Sequence, residues 1–275
     1  MVVMKRTSLV TAAALAVGAA LAPASASASV LELGKTHTPL AAPAPCTTTG
    51  SGTGKTTTCP NGHTAANYAI ILTRVTALET LSDAVAYPTT VKKKGWIVAY
   101  TVGLSGLDTN RAQARLDIHN LDVAWGPHPE LQIAVLRRVG KKSKRKFKMI
   151  AQSPPKHIQP WLGQVVQFPL QTNLPVNPGD VVALSTPTWA PVLTLDQPAS
   201  QFAYRQSRST GCGSPPATNS AQSVGQIVQY GCDYSPAFAC TASQHGRCST
   251  RVEYTATEVT EPVAINPIHA RDIGP

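Results

Sequence analysis

Hydrophobic and polar residues alternate with a period of two along much of the chain. In LQIAVLRRV (131–139), Leu131, Ile133 and Val135 fall on one side, which is the pattern of a half-buried strand. KFKMIAQS (146–153) follows across GKKSKR, so the two read as a hairpin. YAIILTRVTAL (68–78), KGWIVAYTVGL (94–104), ARLDIHNLDVAW (114–125) and GQVVQFPL (163–170) predict further strands. VNPGDVVALSTPT (176–188) opens on the turn signal Asn177-Pro178-Gly179-Asp180 and runs into another. SQFAYRQS (200–207), GQIVQYGCDYS (225–235) and TRVEYTATEV (250–259) complete the set. The one stretch with room for a helix is TRVTALETLSDAVAY (73–87). Short strands separated by turns predict an all-β fold, an antiparallel β-sandwich of jelly-roll type with disulfide-stapled loops.

Composition supports that class: charged residues make up only 14%, with 23 Pro and 19 Gly. The first 28 residues have a Lys5-Arg6 n-region, an uncharged Ala/Leu/Val run and Ala-x-Ala sites, the layout of a secretory signal peptide. The alternative is a membrane anchor, for which the run is short. Localisation is therefore expected to be extracellular, without a transmembrane anchor. Residues 29–59 are expected to be a flexible segment with a stapled loop, residues 60–260 one sandwich domain, and residues 261–275 a tail. Six cysteines fit an oxidising compartment. Proximity suggests the pairs Cys46–Cys59, Cys212–Cys232 and Cys240–Cys248, the last two within a disulfide-rich insertion at 208–248. Metal binding is the other reading of such cysteines, but no Cys-x-x-Cys occurs.

The block LQIAVLRRVGKKSKRKFKMIAQSPP, followed by QFPLQTNLPVNPGDVVALSTPT, resembles uncharacterised exported bacterial proteins. They share the same order: a Val-Leu-Arg strand, a strand ending in Ala-x-Ser, a Phe-Pro strand, Leu-Pro-Val and a Gly-Asp turn. The resemblance covers Leu131 to Thr188 and implies half of a jelly-roll or CUB-like sandwich. It implies no catalytic residues.

Charge changes the picture more than composition does. The chain has 24 Lys+Arg against 14 Asp+Glu. Eight basic residues fall in one stretch: Arg137, Arg138, Lys141, Lys142, Lys144, Arg145, Lys146 and Lys148. Lys92, Lys93 and Lys94 form a second run. Such a hairpin attracts anions, and outside a cell these include wall polymers and acidic glycans. Protection of a sheet edge is the competing explanation. Trp161 and Trp189, beside Pro160 and Pro187, are expected to be exposed and could stack on sugar, whereas Trp96 sits in an apolar run and is expected to be buried.

Other chemistry is thinly represented. GSGTGKTTTC (50–59) resembles a phosphate loop, but Thr49 stands where its first Gly is required, and Pro60 follows where a helix should. No nucleotide and no cofactor are expected. Asp117 and His119, two apart, would share a face on a strand, with Asp122, His128 and Glu130 nearby, so a hydrolase or lyase site could be built there. His157 has no evident partner in sequence. A structural surface protein is the third possibility, and ligand and oligomeric state stay open.

Overall fold

The computed structural model describes residues 28–59, 70–142, 145–195, 197–207, 220–230 and 250–260. The proposed leader, Lys144 and the four cysteines Cys212, Cys232, Cys240 and Cys248 lie outside them, as do both disulfides expected in the C-terminal third. The described strands are numbered in chain order. One sheet has the order β1 (Val30–Leu33), β16 (Tyr254–Thr260), β6 (Gly95–Gly103), β10 (Val165–Val176). A larger sheet has the order β13 (Ala203–Gln206), β4 (Leu72–Ser82), β11 (Val181–Ala190), β7 (Glu130–Val139), β8 (Lys146–Gln152), β14 (Ile227–Gln229). Short β5 (Val85–Ala86) adds to β4, and β9 (Lys156–His157) to β7. Two small ladders join β2 (Thr47–Thr49) to β3 (Thr56–Thr58) and β12 (Leu193–Thr194) to β15 (Arg251–Val252). All of these pairings are antiparallel.

The period-two pattern sets which side each strand buries. Ile133 and Val135 of β7, Val182 and Leu184 of β11, Tyr100 and Val102 of β6, and Tyr254 of β16 belong to one apolar cluster, which draws on both sheets. The larger sheet is covered on its other side too. Ala134, Leu136, Phe147 and Met149 pack there with Val228 and Tyr230. The chain at 220–230 is fixed over this second cluster by Gln222. Its amide donates to the carbonyls of Phe147 (2.9 Å) and Gln226 (2.7 Å) and accepts from the Tyr230 hydroxyl (2.7 Å). A fully satisfied buried amide of this kind fixes one arrangement where an apolar residue would allow several.

Two elements differ from the sequence reading. Residues 111–125 form a helix, α1 (Arg111–Trp125), and not a strand. Asn110 caps it, its side-chain oxygen accepting from Ala112 N–H (3.0 Å) and Gln113 N–H (3.2 Å), and Gly126 ends it with a φ of 115°. Conversely, the segment allowed as a helix is β4, a Ser82–Val85 turn and β5. Thr73, Val75, Thr76 and Thr80 are β-branched, and β4 lies inside the sheet between β11 and β13, where such side chains pack well.

Residues 30–33, expected to be flexible, pair with β16 instead. The expected Cys46–Cys59 disulfide is present and closes the β2–β3 hairpin. A crosslink over such a loop stabilises by about 3 kcal/mol in the chain-entropy model. Between β1 and β2 the chain crosses β6 at Gly103, where a Cβ would meet the Ala41 carbonyl oxygen at 1.9 Å. Gly103→Ala is therefore expected to destabilise the protein by about 1–3 kcal/mol through overpacking. Urea denaturation checks this; an unchanged midpoint would show that the 41–42 segment yields freely.

Candidate functional site

The two basic runs, some 40 residues apart in sequence, are both anchored to a single turn. Asn177–Asp180 links β10 to β11. Its Asp180 is 1% exposed. Arg137 of β7 donates to both carboxylate oxygens (Nε to Oδ1 2.8 Å, Nη2 to Oδ2 2.9 Å), and Asn177 N–H donates to Oδ2 (2.9 Å). The bidentate pair holds the Arg137 pKa up. The backbone of the same turn binds the loop before β6: Val91 N–H donates to the Asp180 carbonyl (2.9 Å), and Gly179 N–H to the Val91 carbonyl (3.0 Å). Lys92, Lys93 and Lys94 follow at once, all exposed.

The hairpin projects past its neighbour. β11 begins at Val181, opposite Leu136, so the last three residues of β7 extend beyond it, roughly 10 Å at the usual rise per residue. Not all of its cations are available. Arg137 is committed to Asp180. The Arg138 guanidinium lies 5.1 Å from the Tyr87 ring centroid and 4.7 Å from that of Phe147. Arg145 is half-buried at a φ of 49°, and its backbone carbonyl, not its guanidinium, accepts from Tyr230 N–H (2.9 Å). Lys141, Lys142, Lys146 and Lys148 are exposed. Lys146 and Lys148 share one face of β8 because they alternate with buried Phe147 and Met149. Among the described residues none of these four lysines is in an ion pair with a carboxylate. Near the other run, Glu258 is fully buried. Burial pushes its pKa up, and Lys93 acts against that.

The tryptophans are distributed differently from the sequence reading. Trp189 is fully buried on β11, and its indole N–H donates to Asp122 (2.9 Å). Trp161 is half-buried, packs edge-on against Phe168, and carries the Lys156 ammonium 4.8 Å from its ring centroid. Its face is thus already occupied. Trp96 is the exposed one, at 38%. The alternation of β6 sends Ile97 to the core and Trp96 to the outside, which the apolar character of the run conceals.

The candidate catalytic residues do not converge. On a helix, positions two apart are about 200° apart. Asp117 is accordingly buried, accepting from the Gln113 amide (2.5 Å), while His119 is exposed. Burial raises the Asp117 pKa, opposed by Gln113 and aided by Asp108. Asp122 also accepts from His128 N–H (3.1 Å). His128 and His157 do meet, with ring centroids 4.4 Å apart, because β9 adds to the start of β7. Among the described residues no group of three or more His, Cys, Asp or Glu side chains is placed to hold a metal ion.

Sequence reasoning missed a cluster of buried charges around Arg251. Arg251 is buried, donates to the carbonyls of Pro39 (2.8 Å) and Thr38 (3.0 Å), and lies 3.5 Å from Glu253. Glu253 accepts from the Thr194 hydroxyl (2.7 Å) and Ala41 N–H (3.3 Å). This cluster fastens the 38–41 segment. Nothing in TRVEYTATEV distinguishes such a face from a solvated one. Glu79 of β4 lies close by and is 1% exposed. Burial pushes its pKa well above the ordinary 4.5, while Arg251 pulls it down and Glu253 and Asp83 push it further up.

Two predictions follow from these charges. Asp180→Ala removes both the Arg137 pair and the turn acceptor, and is expected to lower stability by about 1.5–3 kcal/mol in urea denaturation. A loss below about 0.5 kcal/mol would mean that the pair is no better than a surface one. For Glu79 the folded state holds a proton that the unfolded chain has already released, so stability declines as pH rises above 4.5 towards the folded pKa. Glu79→Gln should flatten that decline, gaining on the parent protein as pH increases, whereas parallel pH profiles would refute it. No protein-family model, curated protein or solved structure matches the chain, so the role of the basic end rests on its own residues.

Proposed function

We propose that this is an exported, non-catalytic β-sandwich protein of jelly-roll type that binds an anionic polymer of the cell surface. The contact surface is the basic end: Lys141, Lys142, Lys146 and Lys148 on the hairpin, with Lys92–Lys94 beside them. The observation that carries the reading is the Asn177–Asp180 turn, which holds both runs at one end through Val91 and Arg137. Clustered lysines repel one another, and an anionic chain with charges spaced along it relieves that repulsion while releasing its own counterions. The apolar cluster shared by the two sheets supports the sandwich. The leader-like N-terminus and the disulfide support export.

Binding of the purified protein to a poly-uronate chain and to inorganic polyphosphate, from about 50 to about 200 mM salt, tests the proposal. Affinity should fall linearly on a log–log plot. Changing Lys141, Lys142, Lys146 and Lys148 together to Gln should lower the slope by up to about 1 for each lysine that contacts the polymer. No binding of either polymer at the lowest salt would refute it.

A further inference from the structure

Beside the basic end, the outer face of the smaller sheet carries an apolar row one residue wide. The register aligns Val30 of β1 with Val259 of β16, Val259 with Trp96 of β6, and Trp96 with Pro175 of β10. Val30 is 68% exposed and Trp96 38%. Further along the same face stand Glu32, Thr257, Thr101 and Gln167; the Thr257 hydroxyl donates to the Glu32 carboxylate (2.9 Å) and accepts from the Gln167 amide (3.3 Å). Trp96 follows Lys94 by two residues, and Pro175 precedes the Asn177–Asp180 turn by two. The row therefore adjoins Lys92–Lys94 on the β6 side and, on the β10 side, the turn to which Arg137 is bound.

We propose that Trp96 is the stacking subsite of an anionic polysaccharide whose charged groups engage the neighbouring lysines. This rests on the reading of the basic end as a polyanion surface and narrows it to polymers built of sugar rings. An indole set in a sheet face presents its apolar body to one ring-sized partner. Polar side chains along the face, the Glu32 carboxylate among them, suit the hydroxyls of a sugar, and Lys92–Lys94 at the end of the row supply charge complementary to the polymer. A polyphosphate chain could use the lysines but has nothing to place on Trp96. An anionic membrane would use both, but burying a side chain in lipid favours a projecting apolar loop over a residue set within a sheet.

The test compares Trp96→Ala, Trp96→Phe and the four-lysine variant against three probes: a poly-uronate oligosaccharide, inorganic polyphosphate, and vesicles of an anionic phospholipid. Trp96→Ala is expected to weaken poly-uronate binding about tenfold, as the loss of one aromatic stack implies, and to leave polyphosphate binding within about twofold. Trp96→Phe should retain most of the affinity. Indole fluorescence should change on adding the oligosaccharide and not on adding polyphosphate. The four-lysine variant should lose affinity for both polymers. If Trp96→Ala leaves poly-uronate binding unchanged while the four-lysine variant loses it, the stacking subsite is wrong and the basic surface stands. If neither polymer binds the parent protein, both readings fall. If vesicles bind and Trp96→Ala abolishes that, the row is a membrane contact and the glycan assignment is wrong. Trp96 lies at the surface, so circular dichroism of the variants separates loss of binding from loss of fold.

Discussion

The Asp180 carboxylate accepts three hydrogen bonds in a place water hardly reaches, two of them from one guanidinium in parallel. A buried carboxylate without such donors would carry a large desolvation penalty. With them it ties the end of β7 to the turn into β11, and the backbone of the same turn binds the loop before β6. The geometry of the positively charged end depends on this junction.

Arginine and lysine divide the work along lines their chemistry predicts. Arg137 and Arg251 hold carboxylates and carbonyls in fixed geometry, and Arg138 lies against two rings. A planar, weakly hydrated guanidinium suits that role. Lys141, Lys142, Lys146 and Lys148 stay in solvent, as a strongly hydrated ammonium on a flexible stem prefers. A count of basic residues in the hairpin overstates its surface charge, because Arg137 and Arg138 are engaged within the fold. Most of the charge presented outward is that of the lysines.

Much of the architecture was legible in the chain. The strands at 131–139 and 146–152, the turn at 177–180 and the strand after it follow from alternation and turn residues, which are local signals. The helix was misread because ARLDIHNLDVAW contains Leu116, Ile118, Leu121 and Val123 at spacings that fit either period. The deciding marks were Asn110 before it and Gly126 after it. Segments as short as β1, β9 and β12 acquire strand geometry from the partner they pair with, so no local signal announces them. The positions of the tryptophans failed for the same reason. A strand's alternation says that Trp96 and Ile97 face opposite ways, but which faces outward depends on what packs against the sheet. The Glu79–Arg251–Glu253 group was illegible because ionisable residues are read as surface unless a partner is known, and these partners are brought together only by the fold.

The strand order of the smaller sheet bears on how this chain can reach its native state. β16 lies between β1 and β6, so the first described strand has no neighbour until the last one arrives. A chain emerging end-first from a ribosome or a translocation channel leaves β1 and one side of β6 open until nearly all of the described sequence is out. Assembly of that sheet is thus a late, closing step, set by the arrival of the final strand and not by the order in which the earlier ones are made.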